Sequence, residues 1–318
     1  MKHNLNKNLI EELRLRISSN SELINSLSDI LCLGKEAIYR RMRGEVQFSL
    51  EEASIVAYHM GFSLDTLSGI SPLKRPFVFK IANFANPKEI DYKLITEFID
   101  FLAYIKDDDD TEMGVSTKII PDGLHLGYPF ITRFYLFKWI YQYDNYFNLK
   151  RFEDVYGSDR VLEILNYMRY LLMHIKKSYY IFDKKVFENL VDDIRYFESI
   201  GLISEDDRMS LKKDLHKCIN DIESLAKEGV NELGNKTDIY LSNLNFEAGF
   251  SYVKSQYYNL STIRAFTMYD ISSSDKISYE NSLKWMHSLK RASLLISQSG
   301  EIERLKFFNR QREIVDIL

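Results

Sequence analysis

The chain has 318 residues, of which 45% are apolar and 28% charged, with a formal net charge of -4. That balance excludes a disordered polyelectrolyte and leaves enough apolar mass for two separate cores. It also excludes a protein that coats nucleic acid or anionic membrane over its whole surface, so any polyanion contact must be local.

Four amphipathic segments and a fifth short one open the chain. Leu5, Leu9, Ile10, Leu13 and Ile17 share one helical face, and Leu23, Ile24, Leu27, Ile30 and Leu31 repeat the pattern after the capping cluster Ser18 to Ser21. A tight connection, Cys32-Leu33-Gly34, leads into a third helix from Lys35 to Arg43, with Ala37, Ile38 and Met42 as its apolar contacts and Gly44 at its end. Ser49 and Glu52 have the spacing of a reciprocal cap for a fourth helix, with Leu50, Ala53, Ala57 and Met60 as its core face. Phe62 to Leu67 reads as the fifth.

The segment GKEAIYRRMRGEVQFSLEEA carries Lys35, Arg40, Arg41 and Arg43 within nine positions, inside a domain of eight basic and nine acidic residues. Helix two, a tight turn and helix three inside a five-helix bundle form the architecture of a helix-turn-helix DNA reader. Residues 5 to 68 also resemble the XRE-type domain of phage repressor and Cro proteins. The resemblance rests on Leu27, Ile38, Gly44, Phe48-Ser49-Leu50, Ala57 and the closing string from Met60 to Leu67, about a fifth of the chain. Three places depart from it: Ile24 stands where the family often has Gln, Cys32 where it often has Gly, and Arg41-Met42-Arg43-Gly44 where it often has Ile-Glu-Asn-Gly, which makes the local charge more positive.

The resemblance implies a lambda-repressor-like fold and a recognition helix facing the major groove of double-stranded DNA. Lys35, Glu36 and Ala37 at the N-terminal end of helix three would enter the groove, with Tyr39 and Arg40 one turn on. Arg41 and Arg43 would add positive charge at its far end, where Arg and Lys neutralise phosphates and Arg forks onto guanine.

Beyond residue 70 the texture changes. A proline-bearing linker is expected over 71–87, with Phe77 to Ile81 strand-like, followed by a helix opened by Asn86-Pro87. The acidic run Asp107 to Asp110 lacks the spaced ligands and glycine of a calcium loop and reads as a solvated loop; a turn-rich stretch follows it. Long helices are expected over 130–147, 158–177, 183–200 and 204–228, and two more over 276–297 and 301–317. Between them, IYLSNLNF, FSYVKSQYY and STIRAFTMYDI read as a small antiparallel meander. The aromatic belt from Tyr128 to Phe147 reads as core, with a ligand-pocket wall as the alternative. SQSGEIER, from Ser297 to Arg304, reads as a helix cap, with an anion site as the alternative.

The expected fold class is therefore mainly α: a helix-turn-helix domain over 1–70, a linker, and a larger mostly helical α+β domain with a small antiparallel sheet over 88–318. The six histidines are scattered without metal-ligand spacing, and no phosphate-cradling loop or nucleophile elbow occurs, so no enzyme, catalytic residue, metal or cofactor is expected. Two distant cysteines, no secretory leader and no membrane span point to a cytoplasmic protein. The expected function is a sequence-specific transcription regulator that works as a homodimer, with a C-terminal domain for dimerisation or for sensing a small-molecule or peptide effector. The alternative is a protein-interaction module that no longer reads DNA, favoured by Glu36 and Ile24.

Overall fold

A computed structural model of the protein describes residues 4–17, 19–60, 62, 64, 67, 82–84, 87–143, 151–256, 258–268 and 270–318. The chain divides into two units, 1–79 with 274–277 and 80–273 with 278–318.

In the first unit, α1 (Leu5–Arg16), α2 (Asn20–Leu31), α3 (Lys35–Met42) and α4 (Leu50–Met60) form where the apolar spacing places them. Side chains supply the caps. Asn4 Oδ1 accepts from the Lys7 N–H at 3.2 Å, and Ser19 Oγ from the Glu22 N–H at 3.4 Å. At α4, Ser49 Oγ accepts from the Glu52 N–H at 3.0 Å while the Glu52 carboxylate accepts from the Ser49 N–H at 2.9 Å, completing the reciprocal box. Leu9, Leu13, Leu23, Leu27, Ile38 and Val56 close a single apolar core. Ile24 belongs to that core, 1% exposed. Phe62 and Leu67 are buried with it. Leu64 packs against it half-buried, while Ser63, Asp65 and Thr66 of the expected fifth helix, the strand-like segment Phe77 to Ile81 and most of the linker lie outside the described residues.

The second unit overturns the expected small antiparallel sheet. Its elements run α5 (Glu89–Ile105), β1 (Glu112–Thr117), α6 (Asp122–His125), α7 (Pro129–Tyr143), a 3-10 turn (Phe152–Asp154), α8 (Asp159–Met173), β2 (Lys177–Phe182), α9 (Glu188–Ser199), α10 (Glu205–Glu228), β3 (Lys236–Ser242), β4 (Phe250–Lys254), β5 (Asn259–Arg264), β6 (Asp270–Ser273), α11 (Lys276–Arg291), β7 (Ser293–Leu295) and α12 (Glu301–Asp316). The seven strands make one sheet in the order β6-β5-β4-β1-β2-β3-β7. The central strands β1, β2 and β3 are parallel, and the flanking pairs are antiparallel. The protein is a helix-rich chain built around a mixed sheet, and the mainly α class with a small meander is incorrect. Of the three strings expected as a meander, IYLSNLNF carries part of β3, a central strand parallel to β2, and only the stretch of β4, β5 and β6 pairs antiparallel in succession. β1 occupies the stretch expected to be turn-rich, β2 falls between two expected helices, and β7 lies inside an expected helix.

Parallel strands need helical crossovers and end up covered on both faces, and this sheet obeys that rule. Tyr180 and Phe182 of β2, Ile239 and Leu241 of β3 and Met113 of β1 pack into the large core under α5 to α10 and α12. Tyr179 and Ile181 of β2 and Tyr252 of β4 pack on the opposite face, against Tyr279, Met286 and Leu289 of α11.

α7 runs through the large core with Ile131, Phe134, Tyr135, Phe137, Trp139 and Ile140 all buried, so the aromatic belt up to Tyr143 is mainly core; residues 144–147 lie outside the described residues. Its two cations are satisfied. Arg133 donates to the Val155 carbonyl at 2.8 Å and lies over the Phe152 ring at 4.2 Å, and Lys138 pairs with Asp193. The start of α12 is a structural joint: Ser297 Oγ accepts from the Ile239 N–H at 2.7 Å, and Arg304 donates to the Ile296 carbonyl at 2.9 Å.

Candidate functional site

Helix α3 follows α2 after a three-residue turn. Cys32 makes that turn in the left-handed conformation, φ 51°, and Ser28 Oγ donates to the Leu33 carbonyl at 2.5 Å. Gly34 then begins α3 without a side-chain cap, so the first N–H groups of the helix are free of any capping side chain. Ile38 and Met42 are buried. With 3.6 residues per turn, Lys35, Glu36, Tyr39, Arg40 and Arg43 then share the opposite face, and all five are exposed. Ala37 is half-buried on the flank.

Arg41 is placed differently. Its guanidinium forks onto Glu52 of α4, Nε to Oε2 at 3.0 Å and Nη2 to Oε1 at 2.7 Å, and Nη1 donates to the Ala37 carbonyl at 3.2 Å. The Arg41 hydrogen bonds hold the Glu52 carboxyl below its ordinary value of 4.5. Arg41 thus braces α3 against α4, and the outward stripe is made by the other residues.

Acidic neighbours share that stripe. Glu45 lies 2.7 Å from Arg43 and 3.5 Å from Arg40, and Glu36 lies 3.3 Å from Arg43. These pairs are exposed and weak, so a stronger anion such as a phosphate can displace them at small cost.

The second unit holds a site that the sequence reading did not single out. Arg264, at the end of β5, donates from Nη2 to Asp122 of α6 at 2.7 Å, from Nη1 to the Thr267 carbonyl at 3.2 Å, and pairs through Nε with Asp270 of β6. His125 places Nδ1 3.1 Å from both the Ile120 and the Pro121 carbonyl oxygens, so Nδ1 carries the proton and Nε2 is left as an acceptor. Desolvation by burial is the largest influence on all four groups. It lowers His125, keeping the ring neutral, and raises Asp270. For Asp122 and Arg264 the opposing charges win: Asp122 ends below the usual carboxylate value and Arg264 above the usual guanidinium value. The signal in the sequence was an Arg and an Asp inside the strand-like string STIRAFTMYDI, where buried charges need partners.

This cluster borders a cavity of about 240 Å³ whose other walls include Phe98, Phe101, Leu126, Tyr135 and Met168. A further cavity of about 330 Å³ lies nearby between α8, α10 and the sheet, where Tyr128 donates to Asp221 at 2.6 Å. Among the described residues, no group of three or more His, Cys, Asp or Glu is placed to hold a metal ion. In the acidic run, Asp108 accepts from the Gln256 and Asp110 N–H groups at 2.7 and 2.8 Å, and Asp109 pairs with Lys176 at 3.3 Å. No described helix is long and apolar enough to cross a membrane. No protein-family model, curated protein or solved structure matches the chain.

Proposed function

We propose that the protein is a sequence-specific DNA-binding transcription regulator, with α2 and α3 as its helix-turn-helix and α3 as its recognition helix. One observation carries the proposal: a stripe of Lys35, Tyr39, Arg40 and Arg43 faces outward on the second of two helices joined by a three-residue turn. Such a helix fits the major groove, where Arg40 has the fork geometry for guanine and the uncapped N-terminus favours a nearby phosphate. One recognition helix makes few base contacts, so the regulator acts as a homodimer on a two-fold site, with the second unit supplying dimerisation or effector sensing. It works in the cytoplasm and is not an enzyme.

A second reading has its own observation. Glu36 and Glu45 neutralise Arg43 and Arg40 on the same face, which suits a protein-interaction module better than a polyanion reader.

Fluorescence-anisotropy titration of the full-length protein against genomic fragments, its own upstream region included, across a salt series separates the two. The regulator gives a specific complex whose affinity falls steeply with salt through counterion release. Binding indifferent to sequence and to Arg40→Ala selects the interaction module.

A further inference from the structure

The cavity beside Asp122, Arg264 and Asp270 has the chemistry of a ligand site. These three side chains sit deep in the second unit, yet they keep 29, 23 and 29% of their surface accessible. A buried ion-pair network with no other role is normally packed dry, since solvent-accessible space beside it gains nothing in packing. Here the accessible surface faces cavities. A smaller one, about 70 Å³, also touches Asp122, Arg264 and Asp270.

The charge balance selects the sign of the ligand. Two carboxylates surround one guanidinium, His125 is neutral, and Glu97 stands exposed at the cavity wall, so the lining carries an excess of negative charge. Arg264 already spends three donors on Asp122, Asp270 and the Thr267 carbonyl. An anionic ligand would meet those carboxylates first. Acceptors, by contrast, are in surplus. Among the described residues, Asp122 uses Oδ2 for Arg264 and meets no donor at Oδ1, Asp270 Oδ2 meets the Thr262 hydroxyl at 3.5 Å and no other donor, and His125 keeps Nε2 as an acceptor. An alkylammonium brings three donors and no acceptor. The aromatic walls act in the same direction, because ring faces attract a cation and shelter an apolar body.

We propose that this cavity binds a small primary amine carried on an apolar or aromatic body, with Asp122 and Asp270 receiving the ammonium and Phe98 and Phe101 flanking the body. At about 30 Å³ per water, the cavity holds the equivalent of about eight waters, which matches a ligand of roughly ten heavy atoms. The proposal does not depend on DNA recognition by α3, and its test contains no DNA.

Isothermal titration of the full-length protein at pH 7 with 2-phenylethylamine, 2-phenylethanol and 3-phenylpropanoate provides that test. The expected order is amine well ahead of alcohol, by about tenfold or more as charge-assisted hydrogen bonds imply, with no binding of the carboxylate. Asp122→Asn should weaken the amine by a similar factor and leave the alcohol nearly unchanged. Asp122 also pairs with Arg264, so a second variant guards against misfolding: Met168→Trp, at a half-buried position, fills the cavity and should abolish binding of both. Equal affinity for amine and alcohol, tighter binding of the carboxylate, undiminished amine binding in Met168→Trp, or no amine binding at 10 mM would each overturn the proposal.

Discussion

Arg41 of α3 and Glu52 of α4 are joined by two parallel N–H···O bonds of 3.0 and 2.7 Å, and Glu52 also accepts from the Ser49 N–H. One carboxylate therefore caps a helix and anchors its neighbour. α3 is thus held by that carboxylate as well as by the apolar contacts of Ile38 and Met42.

Arg41→Ala should loosen the first unit by about 1 kcal/mol at pH 7, a value between exposed and buried charge-assisted pairs. The sign of the pH dependence follows from the direction of the Glu52 shift. Its folded-state carboxyl is held below the ordinary 4.5, so the pair contributes fully above that value and is lost as pH falls through the lower folded value. Hydrogen exchange of the α3 and α4 amides should show the difference between wild type and variant at pH 7 and lose it as pH falls through the lowered folded-state value, below 4.5. An equal loss at both pH values would mean that packing of the Arg41 stem, not its charge, holds the helices.

Arg43→Ala should lower the slope of log affinity against log salt by about 0.9, the signature of one lost phosphate contact, while Arg41→Ala leaves the slope unchanged. Arg40→Ala should instead relax discrimination between operator variants, costing about 1–3 kcal/mol at one base pair. Glu45 lies beside both arginines, so Glu45→Gln frees them and should tighten DNA binding several-fold. If Glu45→Gln weakens association with DNA, the acids on this face belong to a different partner.

Cys32 occupies the left-handed region that costs a non-glycine residue about 1–2 kcal/mol. Its exposed thiol donates to the Asp29 carbonyl at 3.7 Å, a weak bond that offsets little of that strain. Cys32→Gly, offset in part by the entropy of glycine in the unfolded chain, should raise the stability of the first unit by up to about 1 kcal/mol. Protection of the α2 amides against exchange measures it; unchanged or lower protection would show that the turn is not strained by the side chain.

The legible parts of this chain were those governed by local rules. The Ser49–Glu52 box and the amphipathic faces of α1 to α4 each involve residues a few positions apart, so spacing alone reveals them. β2 was opaque for a physical reason: it is buried on both faces, so KSYYIF carries no alternation and resembles a piece of apolar helix. β1 was hidden by Gly114, a residue that reads as a turn until the two tyrosines above it are known. Arg264 and Asp270 share one strand-like string, but their partner Asp122 lies 142 residues before Arg264, and no local pattern announces a pair so distant.

Gly114 tests the sheet that spacing did not reveal. A Cβ built there would lie 2.5 Å from Tyr179 Cζ and Oη and 2.5 Å from Tyr252 Cε1, far inside van der Waals contact. Neither ring has an easy retreat. Tyr252 is fully buried and donates to Glu112, while Tyr179 is buried with the Lys290 ammonium 4.0 Å from its ring centre. Gly114→Ala should therefore cost at least the 1–3 kcal/mol typical of overpacking, and about the upper end of that range because two aromatic rings must move together. Adding Tyr179→Leu removes one of the two clashes, so the double variant should be more stable than the sum of the single losses predicts, with a coupling of about 1 kcal/mol or more. Urea unfolding followed by tyrosine fluorescence and by circular dichroism measures each corner of the cycle. Strict additivity, or a Gly114→Ala variant as stable as wild type, would mean that β1 does not lie between β2 and β4 with Gly114 beneath these rings, and the central order of the sheet would have to be redrawn.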